Sequence, residues 1–421
     1  AFGSKETDYT IISPYEQVDW STWKTYKANL HAHCDASDGD PTLDEMVEEY
    51  YKADYDILAM TDHGVITNGW TSERETNGIF NKFRKVYPMS EENYERITKG
   101  LDRGGRGMTD IRGGIECNMA VISKTHVNGY FTTYGQGEWG IENDYRTAPV
   151  EIEKAGGYSV LNHVGDWVDS GRFPHRSHWN VYIAYFAGIF IDCPSCLGME
   201  IVNNTDRVTR GDRELWDELL QVVIPKGRNI WAFADDDSEK LNEVGRSFEF
   251  FVLPENNEAN VKKAMKDGNF FAASRYYKTT DRVGEFEGDG NVPLVTDIKV
   301  DQKANTITVA TDPTRDCRVI EWIADGKVIA TGNTIDLNDY EKDLGCYIRF
   351  QMKGSGGVTY SQPFELQYKG RIDKPVPGRA LWVFMTEAGQ KFMKFYHSHS
   401  FALGAFIAEK IRILIEDNIK K

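Results

Sequence analysis

The chain has no apolar run long enough to span a bilayer, so nothing in it predicts a transmembrane helix or a membrane partner. It also lacks the cysteine density of a disulfide scaffold, with six cysteines spread over 421 residues. Cys34 and Cys117 lie beside the motif residues discussed below, where a structural bridge would be awkward. Cys193-Pro-Ser-Cys196 has redox or zinc-knuckle spacing. Without a second such pair or a strand-to-helix pattern around it, it reads as two ordinary loop thiols. Positive charge is scarce as well: 49 Lys and Arg stand against 65 Asp and Glu, a formal charge of -16. Such a surface repels nucleic acid unless a local patch or bound cations reverse the field. Duplex nucleic acid is therefore not an expected partner, and a small anionic substrate is. Ala1 opens no charged-then-apolar leader, so the expectation is a cytoplasmic protein, or one whose leader has been removed.

What is present is globular in composition, 40% hydrophobic and 27% charged, and long enough for two domains or more. From about residue 26 to 237 the pattern alternates strand and helix. Residues 28–33 read as a strand. Thr42 with Glu45 has the form of a capping box, and Leu43, Met46, Val47 and Tyr50 behind it share one helical face. Further strands are expected at 56–60, 111–116, 158–162, 199–202 and 230–234, helices at 150–155 and 212–223, and a hairpin return at 125–131. Repeated strand–helix units imply α/β architecture, a mostly parallel sheet closed or nearly closed into a barrel with helices outside. In such barrels the chemistry sits at the carboxyl ends of the strands. Two segments, 65–110 and 165–194, show no clear period and read as long loops. Near residue 288 the character changes to short alternating β-type runs up to about 366, a small all-β sandwich. A helical tail follows, including 401–417, which reads as a docking or dimerisation helix able to support a homo-oligomer. The expected domains are 15–287, 288–368 and 369–421.

Candidate chemistry accumulates at the strand ends. His31-Ala32-His33 places two imidazoles on one strand face. Ser37-Asp38-Gly39 follows, Asp62-His63 ends the next strand, and Glu116 another. His126 lies on the hairpin return, His163 after the next strand, and Asp237 and Glu239 after the last. Five of nine histidines fall at strand ends in this one domain, which random placement would not produce. Imidazole and carboxylate ligands without cysteine favour zinc, manganese or iron, and a set this open suits catalysis better than structure.

This ordered series, Asn-Leu-His31-Ala-His33, Ser-Asp38-Gly, Thr-Asp-His63, Gly-Ile-Glu116, His126, His163 and Asp237-x-Glu239, resembles the PHP family (polymerase and histidinol phosphatase) over about residues 26–275. The appended sandwich is similar to one found behind some members. The resemblance implies a distorted (β/α)7 barrel and a trinuclear site hydrolysing phosphoesters. One ion would lie between His31, His33, Glu116 and Asp237. A second would share Glu116 with His126 and His163, and a third would take Asp38, His63 and residue 239. The family commonly has histidine at that last position. Glu239 is a harder ligand, favouring manganese, iron or magnesium there, or a third site partly filled. Four carboxylates against three divalent ions leave about +2, so an acidic protein can present a cationic pocket. Two ions about 3.5–4 Å apart suit a bridging hydroxide for in-line attack. Asp62 would orient a ligand or shuttle a proton.

Arg172, His175, Arg176 and His178 in the second long loop are candidate substrate-binding residues, with Arg207 beyond the strand at 199–202. A solvated loop is the plainer reading of each. Gly104-Gly-Arg-Gly107 follows no strand, so it is not expected to cradle phosphate. His397 and His399 sit two apart in helical sequence, on different faces, and predict no metal. The function expected is hydrolysis of a small phosphomonoester, of nucleotide or amino-alcohol phosphate type, with two to three divalent ions. The alternatives are a phosphodiesterase or exonuclease on short single strands, which needs a basic, aromatic groove, and a noncatalytic metallo-domain serving as an assembly module.

Overall fold

The computed structural model of the chain describes residues 7–74, 85–118, 124–137, 144–168 and 179–378. The first helix, Leu43–Lys52, starts where its capping box predicts. The Thr42 side chain accepts from the Glu45 N–H, and the Glu45 carboxylate accepts from the Thr42 N–H. Leu43, Met46, Val47, Tyr50 and Tyr51 are buried, and this face packs the helix onto the sheet below.

Two sheets position the site. In the first, Lys24–Asn29 runs parallel to Ile57–Ala59, and Ile57–Ala59 parallel to Thr109–Ile111. Antiparallel Ser247–Leu253 and Phe270–Ser274 extend it on the other side. The second has the order Ile115–Cys117, Val127–Tyr130, Tyr158–Leu161, Cys196–Asn203, Trp231–Asp235. Its first two pairings are antiparallel and its last two parallel, so the expected mostly parallel sheet is interrupted by a hairpin. Single parallel bridges, Ala32↔Ser238 and His63↔Glu116, connect the two sheets. Among the described residues there is no closed barrel, and only seven α-helices surround the strands. Both seams carry candidate ligands. At one, the His33 N–H donates to Ser238 O (3.0 Å) and the Asp237 N–H to His31 O (3.0 Å). At the other, the Gly64 N–H donates to Glu116 O (2.9 Å).

The strand expected at 111–116 is two strands, one in each sheet. Gly113 and Gly114 make the crossing. Gly113 has φ 65°, and a Cβ on Gly114 would lie 2.3 Å from the Met60 carbonyl oxygen, so only bare backbone can pass there. The two segments read as loops contain helices. Asn180–Asp192 is apolar nearly all round and fills the core behind the second sheet, which is why it shows no period. Glu91–Lys99 is the opposite case, polar except for buried Ile97, and is set by its caps at Ser90 and Gly100. Strands Ser247–Leu253 and Phe270–Ser274 are buried along their whole length and give no alternation to read.

The expected sandwich does not stand apart. Gly357–Tyr360 pairs with Phe270–Ser274, and Thr10–Ile12 pairs with Phe364–Gln367, making one eleven-stranded sheet from both ends of the described residues. Val295–Asp301, Thr306–Thr311 and Thr334–Asp336 form a separate three-stranded sheet. The Gln362 amide also exchanges hydrogen bonds with the Ala232 N–H (2.8 Å) and carbonyl (2.9 Å), continuing the edge of strand Trp231–Asp235. The tail at 369–421 is described only to residue 378, so the helix expected at 401–417 lies outside the described residues, as do His397 and His399. No helix among the described residues is long and apolar enough to cross a membrane.

Asp110, buried on strand Thr109–Ile111, accepts from the Trp70 N–H (2.8 Å) through Oδ2, while Oδ1 has no hydrogen-bond partner. Burial pushes its carboxyl up to about 7, against the Trp70 hydrogen bond and Arg112. A folded-state value above the unfolded one means stability is greatest in acid and is lost as pH climbs from about 4 to about 7. Asp110→Asn keeps the acceptor and removes the buried charge. Its melting temperature relative to wild type is expected to rise from about pH 5 to about pH 8; a difference flat over that range would exclude a charged, buried Asp110.

Candidate metal centre

Glu116 lies at the centre of the strand-end cluster, buried to 1% exposure. Its Oε2 is 3.3 Å from His31 Nε2, 3.3 Å from His33 Nε2 and 3.1 Å from His63 Nδ1. Its Oε1 is 3.2 Å from His126 Nδ1 and 3.4 Å from His163 Nε2. Asp237 Oδ1 lies 3.1 Å from both His31 Nε2 and His33 Nε2. Asp38 Oδ2 is 3.3 Å from His63 Nε2. Eight of the nine residues expected to bind metal therefore converge.

The donor set fits divalent ions. Ligand atoms of one ion at bond lengths of about 2.1 Å stand about 3.0–3.4 Å apart along a polyhedron edge, and these separations match. His31 Nε2, His63 Nδ1 and Glu116 Oε2 are buried, face one another and have no hydrogen-bond partner, a costly arrangement unless something binds between them. Three sets of ligand atoms lie within 4.8 Å of one another: His31, His33, Glu116 and Asp237; His33, Asp38 and His63; His63, Glu116 and His126. His163 Nε2 approaches Glu116 Oε1 but is in none of these sets, and His63 stands with Glu116 and His126 instead. Glu239 does not join them. It is exposed and held by its backbone, its N–H donating to Glu243 Oε2 (2.8 Å) and its carbonyl accepting from the Asp40 N–H (2.9 Å). His33 takes its place beside Asp38 and His63.

The electrostatics of the ion-free cluster are those of imidazolium against carboxylate. Burial lowers His33, but Asp237, Asp38 and Glu116 outweigh it and raise it to about 10. His163 is raised to about 9 against burial, by Glu116, Asp237 and Glu200. Burial would raise Glu116, yet His31, His63 and His126 hold it well below the usual carboxylate range. Burial dominates at His126 and lowers it. Glu239 is exposed as a residue, but the protein packed around its carboxyl, and then Asp38, push it up to about 7. Cations must displace these protons, so uptake releases protons and weakens as pH falls.

Backbone strain accompanies the geometry: Asp237 has φ 47° and His163 φ 28°, both left-handed. Asp62 is buried beneath the His33–Asp38 turn. Its carboxylate accepts from the Cys34 N–H (2.8 Å), the Ser37 hydroxyl (2.8 Å) and Arg74 (3.4 Å). Arg74 also reaches Cys34 Sγ at 3.0 Å. Arg207 is exposed, and its neighbour Arg210 pairs with Glu285 at 3.1 Å. Arg172, His175, Arg176 and His178 lie outside the described residues. Cys193 and Cys196 are buried free thiols, raised by burial to about 11 and about 12.

Sequence reasoning missed the residues behind the ligands. Glu200 Oε1 accepts from His31 Nδ1 at 2.7 Å, and the Asn162 amide donates to Glu116 Oε1 at 2.7 Å. The Asn203 amide donates to Glu200 Oε2 (3.1 Å) and Asp237 Oδ2 (3.1 Å). A single available signal was a lone carboxylate inside the otherwise apolar run Met199–Val202.

No family model matches the chain, and no curated protein matches it. Solved structures are similar in part. A two-domain Bacteroides vulgatus protein containing a predicted PHP-like metal-dependent phosphoesterase is 15% identical, with TM-score 0.43, over 88% of this chain and 92% of that one. A lesion-specific endonuclease from Pyrococcus furiosus is 12% identical, with TM-score 0.35, over 58% and 56%. An amidohydrolase from Chromobacterium violaceum, with bound sulfate and no metal, is 13% identical, with TM-score 0.30, over 51% and 87%. Likeness at this level concerns the fold at most. The chemistry of the site rests on its own geometry.

Proposed function

We propose that this chain is a metal-dependent phosphoesterase built on a distorted (β/α)7 barrel and acting on small phosphomonoesters. The observation that carries the reading is the convergence of five imidazoles and two further carboxylates around Glu116, with buried ligand atoms facing one another unpaired. Divalent ions held there would supply Lewis acidity, activating water for attack and neutralising charge on the phosphoryl oxygens. His31, His33, Glu116 and Asp237 would hold one ion, and Glu116, His126 and His163 a second. A third would lie beside Asp38 and His63. The chain's own part is to fix these donors before substrate arrives, so that no reorganisation is needed during reaction. Asp62 acts by holding the Cys34–Ser37 turn that carries His33 and Asp38, a positioning role rather than proton transfer, because its oxygens face Cys34, Ser37 and Arg74.

The open side of the cluster supports a small substrate. Asp38 is the most exposed ligand candidate, and Glu239 and Glu243 stand near it. An acidic rim repels the phosphates of an oligonucleotide outside the reach of the ions. With manganese added, turnover of p-nitrophenyl phosphate well above that of its bis-ester is expected, abolished by chelator. Preference for the bis-ester would move the assignment to phosphodiesterase. Turnover of neither by metal-loaded protein would favour the assembly module.

A further inference from the structure

Strand Cys196–Asn203 is buried along its whole length, yet it carries a carboxylate that is 0% exposed, at Glu200. A buried charge is retained only where partners compensate it, and here the partners are ligand candidates. Oε1 accepts from His31 Nδ1 at 2.7 Å, which leaves His31 Nε2 directed at Glu116 and Asp237. Oε2 accepts from the His163 backbone N–H at 2.7 Å, at the residue whose φ of 28° is left-handed. Oε2 also accepts from the Asn203 amide, whose Nδ2 donates again to Asp237 Oδ2. The Asn203 N–H is itself held by Thr209 Oγ1 at 3.0 Å.

We propose that Glu200 is a positioning residue that couples the first two ion sites, fixing the His31 imidazole proton on Nδ1, clamping the strained His163 backbone and, through Asn203, aiming Asp237. This rests on the reading of the cluster as a metal centre. One buried carboxylate thereby sets three ligand directions. The hydrogen bond to Nδ1 raises the basicity of Nε2 as a donor to metal, and the clamp keeps His163 in a conformation its own backbone disfavours.

Glu200→Gln tests this with little change in volume. With its amide oxygen toward His163 and Asn203, the variant's NH2 faces His31 Nδ1 and requires an acceptor there. The imidazole proton then moves to Nε2, and that nitrogen is blocked. Turned over, the NH2 opposes the His163 N–H. Either orientation keeps the side-chain volume and breaks a hydrogen bond that positions a ligand. Zinc affinity, measured by competition with a chromogenic chelator, is expected to fall about 10–100-fold, beyond what any accompanying fall in the thermal midpoint of the ion-free protein accounts for. Imidazole nitrogen NMR of zinc-loaded wild type is expected to show the His31 proton on Nδ1. Asn203→Ala, which releases Asp237 and one hydrogen bond to Glu200 Oε2 but leaves Glu200 on His31 and on the His163 N–H, is expected to give a smaller loss and serves where Glu200→Gln does not fold. Undiminished zinc affinity in both variants, or a loss that merely follows ion-free stability, overturns the role of Glu200. Wild-type protein that binds no divalent ion overturns the metal-centre reading and this inference with it.

Discussion

Glu116→Gln is expected to remove turnover and most bound metal together. Glu116 divides five imidazoles between its two oxygens: Oε2 meets His31, His33 and His63, and Oε1 meets His126 and His163. An amide keeps the shape but replaces one anionic donor by NH2, which points two hydrogens at nitrogens meant for cations. The loss should be at least the ~10²–10³-fold that follows removal of one preorganised electrostatic contact, because two ion sites lose a shared ligand. Stability of the ion-free protein should fall too, since the carboxylate that holds several imidazoles protonated is gone. Metal content by elemental analysis and phosphate release under excess manganese read the two effects separately. Unchanged stoichiometry with unchanged rate would remove Glu116 from the centre of the site.

Asp217→Leu is expected to give the largest loss of stability. Asp217, on helix Asp212–Val223, accepts from Arg349 Nε (2.7 Å) and Nη2 (2.6 Å) and from the Tyr347 hydroxyl (2.7 Å), and both charged partners are buried. Arg349 also lies over the Trp216 ring, 4.8 Å from its centroid. This pair joins the helix behind the second sheet to strand Tyr347–Gly354 of the C-terminal β region. Removing one partner strands a buried guanidinium and should cost about 3–5 kcal/mol, whereas Asp217→Leu with Arg349→Met should return to within about 1–2 kcal/mol of wild type. Denaturant unfolding reads this directly. If the single variant costs under about 1 kcal/mol, water reaches the pair and it is no buried clasp.

These two residues illustrate different legibility. Glu116 was readable because it ends a short β-type run in a chain where the other strand ends also carry His or Asp, so position and residue type agree. His31 and His33 were readable from strand spacing together with the acids and imidazoles at the other strand ends, not from their spacing alone. Asp217 and Glu200 were not. Each looks like an ordinary acid in a helix or strand until a partner more than a hundred residues away is placed beside it. The same holds for Glu239, whose spacing from Asp237 matched the motif while its backbone bonds to Glu243 and Asp40 leave it exposed and outside the three ligand sets.

Local order thus supplied the capped helix Leu43–Lys52, most strands of the two sheets and the succession of ligand types, because period, capping and strand-end placement act over a few residues. Long-range packing settled what such signals do not contain: the step between sheets at Gly113-Gly114, the hairpin that breaks the parallel order, the pairing of Thr10–Ile12 with Phe364–Gln367 in one sheet, and the buried Glu200 and Asn203 behind the imidazoles. Their cause is the same. Buried backbone and buried charge must find partners wherever the fold brings them, and those partners are distant in sequence.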